Sequence, residues 1–192
     1  MEEIKQADFY YSGNIELLKR TPVAIFCSRE IPLSIYHQAN ELFLKMFSLP
    51  LILAGGWQSA MEKRMLKNCK IQNASACPQI IYFLAKGIKN FSLPDYLEKP
   101  YNEGNLLVIS PYLKQKCISI KRVQVRDKLI LRLIDRYLFL YINPGGQLEA
   151  LYEKCLQKEK MVYLLKHHLN AERFRDNVKL IEEATAEGLI NG

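Results

Sequence analysis

The chain has 192 residues, 49% of them apolar and 24% charged, with a formal net charge of +7 and five cysteines. That length and balance give one ordinary globular domain with a substantial core, and exclude disorder beyond fraying at residues 1–8 and at the C-terminal end. The acidic, polar N-terminus MEEIKQADFYYSG is no signal peptide and no apolar run reaches membrane-span length, so a cytoplasmic protein with no membrane contact is expected.

In chain order, Val23–Cys27 (VAIFC) is a short apolar run of β type. Leu33–Phe47 has helical spacing, with Ile35, Ala39, Leu42, Phe43 and Met46 on one face. Leu51–Ala54 is a second strand, closed by Gly55–Gly56, and Ser59–Asn68 a helix. Gln79–Ala85 and Leu106–Ser110 are a third and fourth strand, joined by a loop-rich stretch, 86–104, with room for one short helix. A basic helix over 119–135 leads to a fifth strand, Tyr137–Ile142, punctuated by Pro144–Gly145–Gly146. Gln147–Gln157 is a helix, Met161–Leu165 a sixth strand, and Ala171–Glu187 a closing helix with Phe174, Val178, Ile181 and Ala184 along one side. Strands apolar on consecutive residues are buried on both faces, and their alternation with helices predicts a doubly wound, mostly parallel, Rossmann-like α/β sheet.

Residues 114–136 contain eight cations and only two carboxylates, and so carry six of the seven net positive charges. One basic segment on a near-neutral body suits a phosphate-bearing partner, although a solvated helix face has the same composition. Projection of 119–135 at helical pitch sets Lys121, Lys128, Arg132 and Arg136 opposite Val123, Leu129, Ile130, Leu133 and Ile134. Arg126 falls in the middle of the apolar arc and Arg122 at its margin. A guanidinium stays charged, so Arg126 must meet an internal carboxylate, backbone carbonyls, or an anion in a cleft. An ion pair sealed from solvent would remove the case for the anion.

Parallel sheets bind ligands at the carboxyl ends of their strands, where strand order reverses. The turns there contain Ser28–Arg29, Gly55–Gly56, Ser110 and Gly145–Gly146. Glycines at a strand-to-helix turn let backbone N–H groups approach phosphate, though tight turns need glycine for their own sake. Trp57 either stacks on a base at the rim or packs on the sheet, and Tyr10–Tyr11 are equally open. No GxGxxG, GxxxxGK[ST] or GxSxG is present, which argues against dinucleotide, ATP and serine-hydrolase chemistry. The odd set Cys27, Cys69, Cys77, Cys117 and Cys155 contains no CxxC, and His37, His167 and His168 have no metal-ligand spacing. No cofactor, metal or catalytic group is therefore expected, and Cys27 and Cys155 read as core residues.

Residues 9–188 resemble the core of the DNA-processing protein A family (DprA, also called Smf). The resemblance is carried by Tyr11-Ser12-Gly13-Asn14 through Leu17–Leu18, by Ser28–Arg29, by Ala54–Ser59, by Ala85–Lys89, by Leu107–Pro111, by Arg126–Ile130 and by Asn177–Ala184. It implies non-catalytic binding of single-stranded DNA and its handover to a recombinase, with Arg29, Arg126 and Lys128 lining a basic pocket. Cys27 stands where the family has glycine, and Asp127 and Lys128 stand in its Arg-Asn-Arg segment. A more distant resemblance, through Pro144–Gly145–Gly146–Gln147, is to the LOG phosphoribohydrolases, and implies Arg126 with Glu149 or Glu153 as a working pair. A scaffold with a vestigial pocket, self-associating as a homodimer through 171–190, is the third reading.

Overall fold

A computed structural model describes residues 3–6, 8–67 and 78–191. Cys69, Cys77 and Asn68, the last residue of the predicted second helix, lie outside them. The strands are β1 (Ile4–Gln6), β2 (Phe9–Gly13), β3 (Val23–Cys27), β4 (Ile52–Gly55), β5 (Gln79–Phe83), β6 (Leu106–Ser110), β7 (Arg136–Tyr141), β8 (Met161–Leu165) and β9 (Val178–Ile181). The helices are α1 (Leu33–Phe47), α2 (Ala60–Lys67), α3 (Asp95–Asn102), α4 (Ile120–Leu133), α5 (Gln147–Gln157) and α6 (Gly188–Asn191). No helix among the described residues is long and apolar enough to cross a membrane.

The sheet order is β1-β2-β6-β5-β4-β3-β7-β8-β9. Strands β6 through β9 in that order are parallel, and β1 and β2 join antiparallel at the β6 edge. This is the doubly wound, Rossmann-like α/β arrangement that the alternating pattern predicts. Successive side chains of β3 point to opposite faces, so Val23 and Ile25 join α1 and α2 in one core while Ala24 and Phe26 join α4 and α5 in the other. Burial on both faces is why these strands read as continuous apolar runs.

Three strands depart from expectation. β1 and β2 were not predicted; β1 (IKQ) is an exposed edge strand, β2 (FYYSG) beside it is only partly covered, and Tyr10 pairs with Ser110 rather than standing at a rim. The predicted closing helix over Ala171–Glu187 is replaced by a 3₁₀ turn (His168–Arg173), β9, a second 3₁₀ turn (Glu183–Thr185) and α6. Val178 and Ile181 imitate a helical face, but an edge strand on β8 buries Ile181 and hydrogen-bonds the backbone at once, with Lys166 N–H donating to Ile181 O at 2.8 Å. The basic helix also ends early: Arg136 belongs to β7, is buried, and donates to Leu189 O, so it leaves the solvent face assigned to it.

The chain runs outward from β3 to β6 and returns to β7 beside β3. The turns after these two strands diverge, and that divergence opens the sheet's carboxyl edge.

Candidate functional site

At that switch point lies a cavity of about 360 Å³. Its wall takes Ser28, Arg29 and Glu30 from the turn after β3, Gln58, Ser59 and Glu62 from the start of α2, and Asn143 and Gly146 from the turn after β7. Arg126 and Asp127 enter from α4, with Val123 and Ile120 above them.

Ser59 and Glu62 form a capping box at the start of α2. Glu62 N–H donates to Ser59 Oγ at 3.1 Å, while the Glu62 carboxylate accepts from Gln58 N–H at 2.7 Å and Ser59 N–H at 3.4 Å. Its other oxygen accepts from Cys27 N–H at 2.9 Å. One buried carboxylate thus fastens the end of β3 to the start of α2. Burial pushes its pKa up against these hydrogen bonds and the nearby Arg126 charge. Burial and Glu62 also push the Cys27 thiol up, which leaves an inert core thiol.

The Arg126 side chain is only 5% exposed. Its Nε and Nη2 donate to Asp127 Oδ1 at 2.9 and 2.6 Å, and Nη1 is buried with no acceptor among the described residues. Burial raises the Asp127 pKa, opposed by Arg126. The guanidinium is therefore not freely presented: Asp127 holds two of its nitrogens and Gly56 seals the third, so the expectation that Arg126 itself grips an anion falls and only its charge faces the cavity.

The glycines have other duties than those expected. Gly56 makes room for Arg126, whose guanidinium occupies the space a side chain would need. Gly55 sits beside the Trp57 ring, which is buried and donates Nε1–H to Ile81 O at 3.2 Å, so Trp57 packs on the sheet and offers no stacking face. Gly145 has φ +71°, and its N–H is taken by Glu149 Oε2 at 2.7 Å. Glu149 in turn meets the buried Arg173 at 2.8 Å, so it does not form the expected pair with Arg126. Both glycine turns are filled by the chain's own carboxylates, one by Glu62 and one by Glu149.

Of the remaining predicted residues, Ser28, Arg29 and Gly146 line the cavity; Ser28 Oγ accepts from Asn143 N–H at 2.8 Å and so ties the two diverging turns together. Ser110 is buried away from it, donating to Lys86 O at 2.6 Å and accepting from Tyr112 N–H at 3.0 Å, which removes it from the site. Lys121 is exposed on the first turn of α4, and Arg122 donates to Cys117 O beside the Tyr112 ring. Lys128 and Arg132 lie further along α4 and face α5. Sequence reasoning missed Glu62, although Ser59-Ala60-Met61-Glu62 carries the capping-box spacing that signals it.

No family model matches the sequence. No curated protein sequence matches it. The fold has clear counterparts among solved structures. DprA from Streptococcus pneumoniae superposes with a TM-score of 0.71 at 16% identity, over 93% of this chain and 64% of that one. The chain therefore spans less than two thirds of the length of that structure. DprA from Helicobacter pylori, a structure described for its single-stranded DNA binding mode, gives 0.74 at 14% identity, over 99% and 94%. The molybdenum cofactor carrier protein of Chlamydomonas reinhardtii gives 0.58 at 17% identity, over 88% and 96%. The chain has the fold these proteins share, as the sequence resemblance implies; at such identities the likeness extends to fold alone.

Proposed function

We propose that the chain is a non-catalytic binding protein for single-stranded DNA or a similar phosphate-bearing ligand, a part in DNA processing that fits its DprA-like fold. The observation that carries this is a cavity at the sheet's switch point with the Arg126 charge in its wall. Arg126 is ion-paired to Asp127 and its Nη1 is sealed against Gly56, so it acts on an anion through its charge and not through a free donor. Arg29, exposed at the cavity mouth, supplies a second cation. Backbone cradles contribute little, because Glu62 and Glu149 already occupy their N–H groups.

The test is an electrophoretic mobility titration with single- and double-stranded oligonucleotides at two salt concentrations. Single-strand affinity falls steeply with salt, as phosphate neutralisation requires. Arg29→Ala, on an exposed side chain, lowers affinity without changing the melting temperature, and Arg126→Ala, on a buried and paired one, lowers both affinity and stability. Salt-independent binding, or an unchanged Arg29→Ala protein, overturns the proposal. Within it, a recombinase is the protein partner and a homodimer the assembly; co-elution with a recombinase and light scattering test these separately.

A further inference from the structure

The facing sides of α4 and α5 enclose an open groove of about 740 Å³, lined by Lys128, Leu131, Arg132, Lys154, Lys158 and Lys160. Five of its six lining residues are cations. Arg132 pairs with Asp8, and Lys160, half-buried, with Asp135. Lys128, Lys154 and Lys158 are exposed and form no ion pair among the described residues. Helix C-termini favour one or two cations through their dipoles. Convergence of five on one concavity, drawn from two helices and the loop before β8, exceeds that need and raises a local positive potential.

The same two helices, α4 and α5, line both the cavity and the groove. Asp127 and Gly146 stand in the cavity wall; Lys128 and Lys154 stand in the groove. From Arg126 to Arg132 the helix rises about 9 Å, a distance covered by a few nucleotides.

We infer that this groove is a second binding site, one that takes consecutive phosphates of a single-stranded nucleic acid and extends the track beyond the cavity. The inference rests on the single-strand reading above for the identity of its ligand. Recognition is by phosphate alone, since Leu131 is the one apolar lining residue and no aromatic ring is present to stack a base. A flexible strand can lie in a concavity between helices, whereas a stiff duplex meets only the rim.

The experiment compares the whole protein with Lys128→Ala/Lys154→Ala/Lys158→Ala and with Lys154→Glu/Lys158→Glu. All of these side chains are exposed, so folding is checked by melting temperature. The probes are long oligothymidylate, long oligouridylate, a duplex and thymidine monophosphate. The triple variant binds the long single strands more weakly, and the slope of log affinity against log salt shrinks by roughly 2, the value for three lost phosphate contacts on a single strand. Charge reversal gives a larger loss. Monophosphate binding, which reports the cavity, changes far less than long-strand binding, the residual effect coming from Lys154, whose charge reaches Asp127. DNA and RNA strands lose affinity alike.

An unchanged salt slope and affinity in both variants overturns the inference, as does duplex binding that equals single-strand binding. If Arg29→Ala is silent while the groove variants lose affinity, the groove stands and the cavity reading falls; the reverse result removes the groove and keeps the cavity.

Discussion

The α-carbon of Gly56 lies against the Arg126 guanidinium, in the space a Cβ would need. Gly56 directly follows β4 and Arg126 stands in the middle of α4, and their contact fixes where the one buried cation of the cavity sits. Gly56→Ala must push the guanidinium off Asp127 or shift the backbone. Overpacking of this kind costs about 1–3 kcal/mol. Urea denaturation is expected to show that loss, together with weaker single-strand binding. Wild-type stability and affinity in the alanine variant would mean that the guanidinium moves freely, and that its position carries no function.

Glu62 gives the cavity a pH dependence whose sign follows from burial. Its folded pKa is raised above the ordinary 4.5, chiefly by burial. Its contribution to stability is then complete below about pH 4.5 and is lost as pH rises through the folded pKa, because the ionised form must be held in the core. Glu62→Gln removes the titration but gives up one acceptor for Cys27 N–H or for Gln58 and Ser59 N–H, a loss of about 1–3 kcal/mol. The stability gap between wild type and variant is expected to narrow as pH increases. Denaturation at several pH values measures it, and a gap that widens with pH contradicts the assignment. Asp127, raised by the same cause, takes up protons as pH falls, so the cavity grows more positive and anion affinity rises toward acid pH.

The only tryptophan, Trp57, reports on the same edge of the sheet. It has φ +50°, an unfavourable conformation for a bulky residue, and is kept there by full burial and its bond to Ile81 O. Its emission is expected to be blue-shifted and protected from acrylamide, with little quenching by oligothymidylate. Strong quenching by the oligonucleotide would require an exposed ring that stacks on bases, contrary to the packing found.

How far the sequence discloses this molecule depends on what each residue touches. Strands β3, β6 and β8 and helices α1 and α5 were legible to the residue, because burial on two faces, or on one stripe, leaves an unambiguous periodicity. Strands at the sheet's margins escape that logic: β1 is exposed throughout, β2 is partly covered and β9 buries only Ile181, and Val178 and Ile181 fit a helical spacing as well as an edge strand. At the site, Arg126 was conspicuous as a charge on an apolar arc, but a helical projection cannot show that its nearest acid is the adjacent Asp127. The glycine turns looked like phosphate cradles because the carboxylates that fill them, Glu62 and Glu149, arrive from the following helices. Lys154 and Lys158 drew no notice, since their charge matters only once α5 is set beside α4.

Glu149 separates binding from phosphoribohydrolase chemistry. A working acid at a glycosidic bond must approach the ligand, yet this carboxylate accepts from Gly145 N–H and from Arg173 and is absent from the cavity wall. Glu149→Gln is therefore expected to act on stability. It weakens a hydrogen bond to the buried Arg173 guanidinium, which keeps only Glu172 at 3.3 Å as an ion-pair partner among the described residues, and the cost is about 1–3 kcal/mol. Single-strand affinity stays unchanged, because the residue lies outside both the cavity and the groove. Incubation of wild type with nucleoside monophosphates, followed by chromatography, is expected to release no free base. Base release that vanishes in Glu149→Gln would reverse the assignment and make the Pro144–Gly145–Gly146 turn part of an active site.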